Sequence, residues 1–163
     1  MRALVCNAYG PPESLVLEQR DDPVPGVGEV LVDIRAAGIN FPDVLAIAGE
    51  YQVKTPPPFV PGGEAAGVVA AVGAGVERFR PGERVIVTPS LGAFAEQCVL
   101  AERLCMPLPA SLSFEQGAGF TVTHATTHHA FRQSTELRPG ETVMVLGAGG
   151  GLGFGLAAAV GVQ

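Results

Sequence analysis

Thr142-Val143-Met144-Val145-Leu146, running into Gly147-Ala148-Gly149-Gly150-Gly151-Leu152-Gly153, is the stretch on which the fold turns. A short, wholly apolar run suits a strand buried in a parallel sheet. The segment behind the glycines, Phe154 to Gln163, is uncharged and reads as an apolar helix. Strand, glycine loop and helix make a βα unit. There, backbone N–H groups and the positive end of the helix dipole converge with no side chain in the way, which is a place for a phosphate. The spacing Gly147-x-x-Gly150-x-x-Gly153 departs from the strict G-x-G-x-x-G string, so its weight comes from the predicted strand before it and helix after it. A flexible turn is the competing reading. The acidic residue that separates NAD from NADP stands about 20 positions past such a motif, beyond Gln163, so that choice stays open. The unit is also only begun, since a dinucleotide-binding half needs β-α-β-α-β.

Upstream, Arg138-Pro139-Gly140 is a turn, and Ser113-Phe114-Glu115-Gln116 matches a capping box that predicts helix as far as Gln133, broken near Gly117 and Gly119. Before residue 110 the pattern is mainly β. Val30, Val32, Ile34 and Ala36 alternate with Asp33 and Arg35, the period of a half-buried strand. Further strands are predicted at 15–20, 67–72, 84–87 and 93–100, between glycine and proline punctuation. One short helix, 40–48, has Asn40 as N-cap, Pro42 in its first turn and Gly49 to close it.

The 163 residues are 47% hydrophobic and 16% charged, which is a globular composition. A net charge of −6 is the wrong sign for nucleic acid. No apolar run approaches the roughly 18 residues of a membrane span, and the first residues lack the apolar stretch of a secretory signal. Neither nucleic acid nor membrane is expected as a partner, and a cytoplasmic location is. Cys6, Cys98 and Cys105 are too far apart for a C-x-x-C knuckle and read as reduced thiols.

Three segments occur in order: Gly38-Ile39-Asn40-Phe41-Pro42-Asp43 with Gly49-Glu50-Tyr51; Pro61-Gly62-Gly63-Glu64-Ala65-Ala66-Gly67-Val68-Val69; and Val72 to Val85 with its Arg80-Pro81-Gly82-Glu83-Arg84 turn. With Gly92-Ala93-Phe94-Ala95-Glu96, Leu108-Pro109-Ala110 and the Gly150-Gly151-Leu152-Gly153 loop, the chain resembles the zinc-independent quinone oxidoreductase branch of the medium-chain dehydrogenase/reductase superfamily, from Met1 to its end. The resemblance implies α+β leading into α/β: a GroES-like, partly open β-barrel, then the first βα unit of a Rossmann fold, with the active site in the cleft between them. On this reading residues 1–120 are the catalytic domain and 121–163 the start of the cofactor domain. Family members are about twice this length and return to the catalytic domain with their last segments. The chain is therefore expected to be an inactive, weakly cofactor-binding N-terminal half of a homodimeric parent.

Zinc-dependent relatives hold their catalytic metal with Cys where this chain has Asn40 and with His where it has Gly63, and neither replacement ligates zinc. The resemblance thus implies no metal and hydride transfer from NADPH, with NADH left open, to a quinone or conjugated enone. It places Asn40, Tyr51 and Thr126 beside the nicotinamide, Tyr51 and Asn40 being the catalytic candidates, and sets Gly150, Gly151 and Leu152 against the pyrophosphate in the loop bounded by Gly147 and Gly153.

Each residue has a plainer reading. Asn40 is also a helix N-cap with Asp43 as part of the cap, Tyr51 a plug at the barrel mouth, and Thr126 a helix threonine bonded to its own backbone. Glu64 reads as a buried, paired carboxylate. His124 and His128 have i,i+4 zinc-ligand spacing, yet no third ligand stands beside them in the sequence. Two other functions share the resemblance: an enoyl-thioester or acryloyl-type reductase, and a non-enzymatic GroES-like binding module.

Overall fold

In the computed structural model, which describes residues 1–133, 138–146 and 157–160, the chain opens with an antiparallel pair. Strand β1 (Arg2–Val5) lies along β2 (Val16–Gln19), from Arg2 opposite Gln19 to Val5 opposite Val16. Ala3 and Val5 point inward at 1% and 0% exposure, an alternation too short to be read from the sequence alone.

The alternating run 30–36 sits inside the longest strand, β3 (Glu29–Gly38). Helix α1 (Phe41–Ala48) follows, then β4 (Glu64–Val72), β5 (Arg84–Val87), β6 (Gln97–Ala101), β7 (Cys105–Pro107) and α2 (Phe114–Ala118). The strands make one antiparallel sheet in the order β6-β3-β4-β5-β7, so the architecture among the described residues is open sheets rather than a closed barrel. Val30, Val32, Val69, Val85 and Val87 interdigitate on its inner face with Phe79, all essentially dry. Burying a side chain of this size contributes about 1.5–3 kcal/mol, so the cluster outweighs local propensity. The register slips between Leu31 and Val32, where β4 carries the extra residue Ala70, and between Ile34 and Ala36, where β3 carries Arg35; such bulges increase the local twist.

Residues 93–96, predicted as strand, are a connection instead. Their backbone is occupied elsewhere: Ala93 and Phe94 donate N–H to Gly62 and Pro61, and Ala95 forms a single bridge with Ala3. The expected break in the 113–133 helix falls at Gly119, where α2 ends. The Ser113 Oγ accepts the Gln116 N–H at 3.2 Å, and the Gln116 side chain accepts the Ser113 N–H at 2.9 Å, the reciprocal bonds of a capping box.

The chain divides into two compact units, Met1–Gly119 and Phe120–Gln163. In the second, α3 (Thr121–Arg132) precedes β8 (Val143–Leu146) and β9 (Ala157–Val160). Here the expectation of an apolar helix after the glycine loop is corrected. Residues 157–160 form a strand antiparallel to β8, Val143 facing Val160 and Leu146 facing Ala157. A run with Gly155 and Gly161 around it, no charge and no polar face has little to hold a helix. Pairing along β8 satisfies the same N–H and C=O groups. The mixed α and β class and the GroES-like sheet stand; the last element among the described residues is β rather than α.

Candidate functional site

Register builds the site. Gly38, the last residue of β3, pairs with Glu64, the first of β4, and two residues beyond Gly38 the chain turns into α1 at Asn40. With φ −123° and ψ 157°, Asn40 has the extended backbone of an N-cap. Its N–H donates to Asp43 Oδ2 at 2.7 Å and its Nδ2 to Glu64 Oε1 at 3.1 Å. Both carboxyl residues are buried, Asp43 at 6% and Glu64 at 1% exposure. Burial pushes the Asp43 carboxyl above its ordinary range, against the opposing pull of N–H donors from Asn40, Gly63 and Gly62.

Beside this cluster the backbone is bare. A Cβ at Gly63 would meet nothing nearer than Asp43 Oδ1 and the Pro89 carbonyl, each 3.8 Å away. Against the inner face of α1 lies an apolar recess of about 280 Å³ lined by Leu4, Leu15, Ile39, Val44, Ile47 and Phe94, with Asp43 its one charged residue.

Tyr51 is set by the other end of the helix. Gly49 closes α1 at φ 73°, and the Glu50 and Tyr51 N–H groups both donate to the Leu45 carbonyl, at 2.8 and 3.1 Å. A left-handed cap of this kind favours glycine. Tyr51 is half-buried. The eight residues of α1 lie between it and Asn40 in the chain. Asn40 is thus brought into contact with both Asp43 and Glu64.

Thr126 lies in the second unit, on α3, with its Oγ1 donating to the Val122 carbonyl at 2.6 Å, the self-bonding expected of a helix threonine. His124 and His128 are exposed on the same helix. The His124 ring stacks on Phe120 with centroids 4.3 Å apart, and its Nδ1 lies 3.0 Å from the Phe120 carbonyl. Among the described residues no three His, Cys, Asp or Glu side chains gather in metal-binding geometry. Gly147, Gly150, Gly151, Leu152 and Gly153 lie outside the described residues.

Sequence reasoning anticipated a buried, paired Glu64 but not its partner, and it missed Gly38. A Cβ there would stand 2.6 Å from Glu64 Oε1 and 2.6 Å from the Ala118 carbonyl. The only sequence signal was a glycine two residues before the cap.

Residues 26–129 match the alcohol dehydrogenase GroES-like domain family. A quinone oxidoreductase of Pseudomonas aeruginosa is 46% identical over 153 residues, covering 90% of this chain and 45% of that protein. Among solved structures, the human synaptic vesicle membrane protein VAT-1 homolog-like protein superposes with a TM-score of 0.88 at 31% identity, over 92% of this chain and 48% of that one. The Escherichia coli quinone oxidoreductase complexed with NADPH gives 0.80 at 33%, over 86% and 43%. The chain spans less than half the length of the curated relatives it matches. By its GroES-like domain and these relatives, the chain belongs to the medium-chain dehydrogenase/reductase superfamily.

Proposed function

We propose that the whole protein carrying this chain is an NADPH-dependent reductase of quinones or conjugated enones that uses no catalytic metal. The observation that carries this reading is the chemistry at positions 40 and 63, an amide and a bare backbone where zinc-binding relatives need a thiolate and an imidazole. A carboxamide-bearing flat ring suits this position, because the Asn40 amide can pair with another amide and Gly63 projects no side chain. The similarity to quinone oxidoreductases, one of them complexed with NADPH, supports the choice of cofactor and acceptor.

Bound NADPH supplies a hydride, which with one proton from solvent balances the two-electron reduction of a conjugated carbonyl. Asn40 orients the nicotinamide. Tyr51 donates a hydrogen bond to the acceptor oxygen that gains charge. Thr126 lines the nicotinamide pocket, and the Gly147, Gly150, Gly151, Leu152 and Gly153 loop, whose glycines permit close backbone approach, meets the pyrophosphate through its N–H groups. In the same reading, residues 1–120 are the catalytic domain, 121–163 begin the cofactor domain, and the protein is a cytoplasmic homodimer.

The test is NADPH oxidation by the whole protein across a panel of quinones and enones, with and without a chelator. Turnover indifferent to chelator is expected, with Tyr51→Phe losing about 100-fold in kcat. Background rates on every acceptor, or loss of turnover on chelation, would sink the proposal.

A further inference from the structure

We infer that Glu64 is a positioning residue whose buried carboxyl holds the Asn40 amide in one orientation, Nδ2 turned inward, so that Asn40 meets the nicotinamide already aligned. The identity of the ring rests on the proposed function; the restraint on Asn40 does not.

A helix cap asks only for a side-chain acceptor, which Ser or Asp supplies as well as Asn. Position 40 also donates, from Nδ2 to Glu64 Oε1 at 3.1 Å. Ser has one short donor and ionised Asp has none, so an amide of this length suits the donor role that Glu64 asks for. The terminal torsion of Asn is otherwise broad. Here the residue is held at two points, its N–H by Asp43 and its side chain by Glu64, with both carboxyl residues buried. Two features of the surrounding chain are shaped by that contact. Glu64 is the most voluminous fully buried side chain among the described residues, and Gly38 opposite it has no room for a Cβ. An amide aligned before the cofactor arrives loses less freedom on binding.

The test is a double-mutant cycle in the whole protein with Glu64→Met, which keeps length and removes the acceptor, and Asn40→Ala, each alone and together. Glu64→Met is expected to raise the NADPH KM and Kd about tenfold, the scale of immobilising one side chain. Glu64→Gln, which can turn its own oxygen to Asn40, is expected to stay near wild type. On an Asn40→Ala background Glu64→Met should add nothing. The Asn40 side-chain amide signals in a nitrogen-proton NMR spectrum, assigned by their loss in Asn40→Ala, should move in Glu64→Met and not in a distant control. Should Glu64→Met fail to fold, Glu64→Asp withdraws the acceptor by one methylene with the same expectation.

Effects that multiply across the cycle, or Asn40 amide signals that stay put, would overturn the inference. If NADPH binding follows the cycle but no acceptor is turned over, the substrate reading fails and the positioning role stands. If quinones are reduced and the cycle is additive, the reverse holds. A wild-type protein that binds no NADPH removes both.

Discussion

Gly38 and Glu64 face each other across the β3–β4 ladder, and the missing side chain of the first is the space in which the carboxyl of the second lies. Gly38→Ala would set a methyl 2.6 Å from Glu64 Oε1, which can shift, and 2.6 Å from the Ala118 carbonyl, which is backbone of α2 and cannot shift cheaply. The expected cost is about 1–3 kcal/mol, read from the urea midpoint, with NADPH binding by the whole protein weakened as well because Glu64 is displaced. An unchanged midpoint would mean that α2 moves freely.

Arg84 ties the connection before α2 back to β5. Its Nη2 donates to the Leu112 carbonyl at 2.6 Å, its Nη1 lies 3.4 Å from the Pro109 and Ala110 carbonyls, and its guanidinium carbon sits 4.5 Å from the centre of the Phe114 ring. Lysine keeps the charge and loses the planar fork and the stacking. Arg84→Lys should therefore cost about 1–2 kcal/mol. Since the acceptors are neutral carbonyls, that loss should be nearly the same at low and high salt, where an ion pair would be screened.

Asp43 should leave a signature in the pH dependence of stability. Its folded pKa is raised above the ordinary 3.8, chiefly by burial. Between those two values the folded state binds more protons than the unfolded one, so its contribution to stability falls as pH rises through the window. Asp43→Asn does not titrate. Urea midpoints of the two proteins, followed from below 3.8 to neutrality, should show the wild type losing ground to the variant as pH rises. A constant difference would mean that Asp43 has the same pKa folded and unfolded.

The three cysteines are all buried. Burial pushes the Cys98 thiol up to about 12 and the Cys105 thiol to about 11, and raises Cys6 as well. Thiolate is the reactive form. A thiol-specific disulfide reagent at mildly alkaline pH should label none of them in the native chain and all three in denaturant. Fast native labelling of Cys98 or Cys105 would show that the sheet opens readily.

Local physics was legible in advance. The ends of α1 were, because Asn40, Pro42 and Gly49 act on their own helix within a few residues. So was the Ser113–Gln116 capping box. The break at Gly119 and the half-buried run in β3 follow from the same short-range rules. The motifs that carry the family resemblance are short strings, and residues 26–129 match the GroES-like domain.

What the chain does with its ends and edges was not legible. The 93–96 connection has strand-like composition, but its N–H groups go to Pro61 and Gly62, which no local pattern announces. The run 157–160 was apolar enough for a buried helix, and its backbone pairs along β8 instead.

From residues alone, the amide at position 40, the glycine at 63, the acid at 64 and the caps of α1 were determined, because each is a property of one residue or its near neighbours. That Asn40 and Glu64 touch across 24 positions of sequence was decided by the tertiary structure. The β3–β4 register selects which acid reaches the cap, and a slip of one residue would turn the Glu64 side chain to the opposite face.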